Sequence, residues 1–316
     1  MRIIYVIGLV LLSKFIMSQD IHYSQFDKTK AITNPSLIAN QKSDYEVLLQ
    51  RRSQWSRVSV PFSTFAFSFN AKEVYKTLSL GGTILNDVAG DSRFLTNGGI
   101  ISLVKSYMAN TNHLALGLQA GLYQRSINFD NLIFLENENL RNKSFSFFDF
   151  GIGASNQKKI NNNSYLLIGG SIYHLNKPKQ TLLANTDVYL HQKYILHLAY
   201  SNRFSYKTDV LPVLYFSSQN KDQELIIGSR INYQLNDLFS LNTGFYSRIK
   251  DALIFTLGIQ NSNFEAIISY DLNTSTLVNA SNSVGAIEFS IAYTWNIENE
   301  VNEGKEINEK ICPRYL

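Results

Sequence analysis

Between residues 45 and 295 the chain is a succession of about fourteen short segments in which apolar and polar residues alternate. A period of two marks β-strands whose two faces meet different surroundings. The final segment shows it best. From residue 285 to 295 one face carries Ile287, Phe289, Ile291, Tyr293 and Trp295, and the other Ala286, Glu288, Ser290, Ala292 and Thr294. From 253 to 260, Leu253, Phe255, Leu257 and Ile259 oppose Ile254, Thr256, Gly258 and Gln260. From 114 to 123, Leu114, Leu116, Leu118, Ala120 and Leu122 oppose Ala115, Gly117, Gln119, Gly121 and Tyr123. Such faces suit lipid on one side and a lumen on the other. Tyr293 and Trp295 close the apolar face where an aromatic girdle at the membrane boundary belongs. A soluble sandwich would also alternate, so the connections have to discriminate.

The pattern predicts strands near 45–53, 62–70, 77–86, 96–106, 113–123, 146–155, 164–175, 190–204, 209–217, 224–235, 239–247, 252–260, 263–270 and 284–295. Connections after odd strands include the long stretches 124–145, 176–189 and 271–283. Those after even strands are mostly tight, such as Asn236-Asp237-Leu238 and Asn261-Ser262. This parity fits a bacterial outer-membrane barrel with short periplasmic turns and long outer loops. Closure also removes the unpaired strand edges that lipid cannot satisfy. The expected fold is therefore all-β, an antiparallel transmembrane β-barrel of about fourteen strands over residues 45–295, with periplasmic N- and C-terminal segments.

Residues 1–18 read as a signal peptide: Arg2, an apolar stretch over 3–12 too short to span a bilayer, and a cleavage point after Ser18 that leaves Gln19 first. No cysteine stands at the cut, so no lipid anchor is expected. Residues 19–44 form a mostly polar segment, periplasmic or lumenal, with Asn34-Pro35 as a turn signal. Residues 296–316 form a tail that opens with Glu298, Glu300, Glu303, Glu306 and Glu309 and closes with Cys312-Pro313-Arg314-Tyr315-Leu316.

Composition adds little beyond this. The formal charge of +4 falls to +2 without Arg2 and Lys14, and no cluster of basic and aromatic residues suggests nucleic acid. No apolar run after residue 18 reaches the twenty or so residues of a membrane helix. A mean hydropathy of −0.11 suits a barrel in which every second residue faces lipid.

Candidate chemistry is sparse. His22, His113, His174, His191 and His197, with plentiful Ser and Asp, supply the inventory of a His-centred hydrolase, but no G-x-S-x-G or other nucleophile signature is present. His191 and His197 fall on one face of a predicted strand about 20 Å apart, too far to share a metal. Each His reads most simply as a strand-end or loop residue. No C-x-x-C, H-x-x-x-H or EF-hand spacing occurs, so neither metal nor cofactor is expected. Arg51, Arg52 and Arg57 flank the first outer loop as solvated charges or an anion constriction, and Glu265 and Glu288 are lumen charges. Cys312 is the one cysteine. In the periplasm it reads as a free thiol, a mixed disulfide with a partner, or a tolerated tail residue.

Several motifs, in order, resemble the PorP/SprF family of type IX secretion system membrane proteins of Bacteroidetes. Asp20-Ile21-His22-Tyr23-Ser24-Gln25-Phe26 followed by Asn34-Pro35-Ser36 is similar to that family's "DPxFSQ…NPA" start. Arg52-Ser53-Gln54-Trp55 follows in the first outer loop, then Leu80-Gly81 and Asn86-Asp87-Val88-Ala89-Gly90. Asp149-Phe150-Gly151-Ile152-Gly153, Gly170-Ser171-Ile172-Tyr173-His174-Leu175, Glu288-Phe289-Ser290-Ile291 and Cys312-Pro313-Arg314-Tyr315 complete the set. The chain departs from the pattern at Ile21, where the family has Pro, and at Lys28-Thr29-Lys30. The resemblance implies a non-enzymatic outer-membrane component that supports secretion or surface attachment of cargo such as adhesins. Its implied partners are periplasmic machinery, including an OmpA-like lipoprotein, and outer-membrane lipid. It marks Cys312, Pro313, Arg314, Tyr315, Asn34 and Pro35 as partner-binding candidates and Arg52, Gln54 and Trp55 as outer-loop candidates. A passive porin is the alternative, and an outer-membrane hydrolase the second.

Overall fold

The computed structural model describes residues 20–54, 60–90, 94–127, 143–180, 188–275 and 284–297. Residues 1–18, Trp55, and the tail from 298 with Cys312, Pro313, Arg314 and Tyr315 lie outside them. The strands are β1 Tyr45–Gln54, β2 Phe62–Tyr75, β3 Leu78–Ala89, β4 Phe94–Ala109, β5 Asn112–Ile127, β6 Lys143–Asn161, β7 Ser164–Tyr173, β8 Lys193–Ser205, β9 Thr208–Gln219, β10 Asp222–Gln234, β11 Ser240–Arg248, β12 Ala252–Gln260, β13 Phe264–Asn273 and β14 Val284–Trp295. Each pairs antiparallel with its sequence neighbours, and β1 pairs with β14 from Tyr45↔Trp295 to Gln54↔Ala286, closing the barrel. Fourteen strands among the described residues match the alternation.

Inside and outside are inverted relative to a soluble protein. Along β4, Thr96, Ser102 and Ser106 are buried while Ile101, Leu103 and Tyr107 are exposed, Ile101 at 69%. Exposed Leu116, Phe148, Leu196 and Phe289 extend the apolar outer band, and Ser68, Gln119, Ser171, Asn242 and Ser290 lie inside. Apolar area of this extent facing outward is stable only against lipid. No helix of the described residues is long and apolar enough to cross a membrane.

Connections at 76–77, 110–111, 162–163, 206–207, 235–239 and 261–263 define a turn end. The longer ones at 128–142, 174–192 and 274–283 leave from the opposite, loop end. Most predicted boundaries move by a few residues, and two of the shifts have a visible cause. The sixth strand, expected to stop at 155, runs on to Asn161, because the ladder continues through Lys158↔Asn112 where the polar sequence no longer alternates. The seventh stops at Tyr173, because His174 adopts φ 57° and leaves the extended region.

Ahead of β1, a short helix α1 (Lys30–Thr33) and a 3-10 helix (Pro35–Asn40) carry the chain through the lumen. Asp20 meets His174 and Gln219 at the loop end, and Gln41 meets Ser43, Asp44 and Asn70 at the turn end. From there the chain enters β1.

Candidate functional site

The occupied lumen is where residues from every part of the chain converge. Near the loop end, the Ser24 and Gln25 N–H groups donate to the two oxygens of Glu288 at 2.8 and 3.2 Å. The same carboxylate accepts from Gln50 Nε2 at 2.8 Å and Arg52 at 3.1 Å. Arg52 also donates to Asp271 at 3.0 Å, and Arg248 reaches Asp271 at 3.1 Å and Glu224 at 2.7 Å. Ser24 Oγ donates to Asp271 and accepts from Arg52. Arg52 and Glu288 are each 1% exposed and Asp271 2%. Charges so deep are stable only when paired and hydrogen-bonded. The lattice joins β1, β10, β11, β13 and β14 to the entering segment.

Arg52 and Gln54 therefore change place: expected in the first outer loop, both are residues of β1, and Arg52 faces the lumen. An arginine resembles a loop residue in a single strand. The compensating Glu288 and Asp271 lie more than two hundred residues away. Gln54, at the strand end, is 3.5 Å from His22 Nε2.

Farther along the segment Asn34 is fully buried. It caps the 3-10 helix by accepting from Ser36 N–H at 3.0 Å, with Pro35 at the first helical position. Its amide donates to the carbonyls of Ala154 (3.0 Å) and Gly170 (3.1 Å) and lies 3.0 Å from His197 Nε2. Ser36 Oγ donates to Ser155 Oγ at 2.8 Å. At Gly117 and Gly153 the wall carries no side chain, and the segment occupies that space. A Cβ at Gly153 would stand 2.1 Å from Asn34 Oδ1, and one at Gly117 2.7 Å from Ser36 N. Thr33 O accepts from Ser171 and Ala31 O from Tyr173. The partner-binding candidates Asn34 and Pro35 are thus engaged by this chain's own barrel.

Between these seats, Phe26 packs on Tyr215 and Tyr246 with ring centroids 5.0 and 5.9 Å apart. Ion pairs Asp27–Arg230, Lys28–Glu265 and Lys30–Glu46 tie the segment to β10, β13 and β1. Glu265 and Glu288 both face inward. His197, expected near a strand end with His191, sits in mid-β8 against Asn34, whereas His191 precedes the strand.

At the loop end His174 bridges Asp20 and Asp149, the latter at 3.0 Å. Burial disfavours the imidazolium, but the Asp20 charge and the bonds to both carboxylates outweigh it and hold His174 at about 9. Burial pushes Asp20 up in turn, and the His174 charge and hydrogen bond bring it below the usual carboxylate range. Among the described residues no group of three or more His, Cys, Asp or Glu is placed to hold a metal.

On the outer surface Trp295 stacks on Tyr45 at 5.2 Å and lies 5.8 Å from Tyr293, at the turn end of the closing seam.

The residues sequence reasoning missed are Asp271, Arg248, Glu224, Asp27 and Arg230. The available signal was phase, since Asp271 and Arg248 occupy inward positions of their strands where a charge needs a partner.

Comparison with solved structures places the fold among outer-membrane barrels. The toluene transporter TbuX of Ralstonia pickettii aligns over 85% of this chain and 93% of its own, with a TM-score of 0.54 at 11% identity. The toluene transporter TodX of Pseudomonas putida aligns over 88% and 95%, at 0.51 and 11%. The monoaromatic hydrocarbon channel CymD aligns over 86% and 94%, at 0.50 and 8%. At such identities the likeness is one of fold. No curated protein sequence matches the chain. The model of the type IX secretion system membrane protein PorP/SprF family, however, matches residues 16–293, nearly the whole barrel and the segment inside it. The chain belongs to the PorP/SprF family, as an outer-membrane component of the type IX secretion system.

Proposed function

We propose that this barrel is a plugged, non-enzymatic anchor that supports secretion or surface attachment of cargo such as adhesins and links the outer membrane to periplasmic machinery. The observation that carries the reading is the filled lumen. Residues 20–41 bond to inward faces around the circumference, so the rigid interior is spent on holding its own chain. Function then falls to the two ends. The loop end faces outward, by the parity of its connections, and meets cargo. The tail from 296 to 316 meets an OmpA-like lipoprotein, with Cys312, Pro313, Arg314 and Tyr315 as the recognition element. Tyr293 and Trp295 sit in the membrane-boundary girdle, and the chain is exported by a signal peptide cleaved after Ser18.

Deleting residues 313–316 tests the reading in cells. The truncated barrel should reach the outer membrane in normal amount while cargo secretion and partner pull-down fall. Normal secretion by the truncation would sink the role of the tail. In a planar bilayer the purified barrel should not conduct. Steady conductance by the intact chain would favour the passive channel instead.

A further inference from the structure

A cavity of about 130 Å³ remains at the turn end, between the lumenal segment and the wall. Its floor is apolar: Phe26, Leu37, Leu167, Leu211 and Val213. The charged side chains around it are engaged. Asp27 pairs with Arg230, Lys28 with Glu265 and Lys30 with Glu46, and Lys42 has a partner as well. A charged ligand would therefore be desolvated there without a spare counter-ion to take it up.

The lumenal 3-10 helix adds polar groups of another kind. Side chains three residues apart eclipse in such a helix, so Leu37 and Asn40 share one face, and both line the cavity. Asn40 is 6% exposed, and among the described residues neither the oxygen nor the nitrogen of its carboxamide has a hydrogen-bond partner. Beside it, Gln41 Nε2 donates to the carbonyls of Ser43 and Asp44 at 3.0 and 3.1 Å, while its Oε1 is unpaired. Buried polar groups are normally satisfied. With no bond to hold it, the Asn40 carboxamide is free to turn toward a ligand in the cavity.

We infer that the cavity is a binding site for a small neutral amphipathic molecule, with an apolar body on the floor and an uncharged head, a carboxamide or hydroxyl, that both donates and accepts at Asn40. The head follows from the inventory of unpaired groups. Asn40 Nδ2 calls for an acceptor, and Asn40 Oδ1 and Gln41 Oε1 call for donors. A carboxylate brings no donor and an ammonium no acceptor. The body follows from size, since an apolar cavity of about 150 Å³ accepts one benzene ring. Water would serve Asn40, but the floor offers it no partners.

Three probes with the same ring and different heads make the test. Benzamide, benzoate and benzylammonium are titrated into the purified full-length barrel in nanodiscs, and the methyl resonances of Leu37 and Leu211 on the floor report occupancy. Benzamide should bind about tenfold more tightly than either charged probe, the scale of one net hydrogen bond. Asn40→Ala should weaken benzamide by about the same factor and remove its advantage. Val213→Phe fills the floor and should abolish the shifts for all three. If that variant fails to fold, Asn40→Ala still decides, since the Asn40 carboxamide holds no bond among the described residues. The inference is overturned by the absence of any saturable shift, by equal affinities or a preference for a charged head, or by a benzamide affinity that Asn40→Ala leaves unchanged. No cargo or partner enters the experiment, so its failure leaves the secretory reading standing.

Discussion

The lumenal segment is held at two seats that work by different physics. At Ser24 and Gln25 the wall offers charge: Glu288 receives two backbone N–H groups, and Arg52 and Arg248 neutralise the carboxylates behind it. At Asn34 to Ser36 the wall offers absence, with glycines that let backbone approach backbone and one neutral amide joining two strand carbonyls. The charged seat resists only as a whole, because each ion is costly without its partners. The glycine seat resists by shape and tolerates changes in electrostatics. A segment fixed by both has one register in the barrel, since sliding would misplace the charges and the turn together.

The comparison breaks most sharply at Arg52. Arg52→Ala leaves Glu288 and Asp271 buried with part of their compensation removed, a loss of about 3–5 kcal/mol. It should appear as a lowered unfolding midpoint of the barrel and as protease cleavage within residues 20–41. Arg52→Ala with Glu288→Gln should recover part of that loss, because the second change removes one uncompensated charge. If the double variant is no better than the single, the lattice is not coupled.

Next comes the glycine seat. Gly153→Val would drive a side chain into Asn34 and Pro35, and overpacking of this kind costs about 3 kcal/mol. The strain falls on the segment rather than on the ladder, so protease sensitivity of residues 20–41 should rise while the barrel keeps its heat-resistant gel mobility. Unfolding of the barrel together with the segment would show that the two seats are not separable. Asn34→Ala is milder. It strips a donor from the Ala154 and Gly170 carbonyls and removes the helix cap, about 2 kcal/mol in sum. The same readout should show a smaller rise in cleavage, insensitive to salt.

The wall was legible in the sequence and the seats were not, for one physical reason. Lipid imposes period two on each strand separately, so β14 alone reveals Ile287, Phe289 and Tyr293 as outward and Glu288 as inward. Compensation of a buried charge is a property of several strands at once. Nothing near Arg52 in sequence announces Asp271, and the arginine therefore reads as a loop residue. The ordered motifs pointed to Ser24-Gln25, Asn34-Pro35, Arg52 and Glu288 without saying that they meet. The lumen shows that the first two are the parts of the segment that dock, and the last two part of the wall that receives them.

The smallest effect lies at the loop end, where a third contact borrows the logic of the charged seat with a titratable group. His174, held at about 9 against an ordinary 6.5, stabilises the folded state in full below pH 6.5, and that stabilisation is lost as pH rises through about 9. Asp20 is depressed from an ordinary 3.8, so its contribution is present above pH 3.8 and fades only as pH falls through its lower folded value. Between pH 3.8 and 6.5 the Asp20–His174–Asp149 bridge is at full strength, worth about 1.5 kcal/mol, the low end for a charge-assisted contact. Protease cleavage near residue 20 should accordingly rise from pH 6 to pH 10. The glycine seat contains no group that titrates over that interval, so cleavage near residue 34 should stay level. His174→Gln should flatten the response at residue 20 and raise its level at pH 6. An unchanged pH response in that variant would show that the His174 imidazolium is not its source.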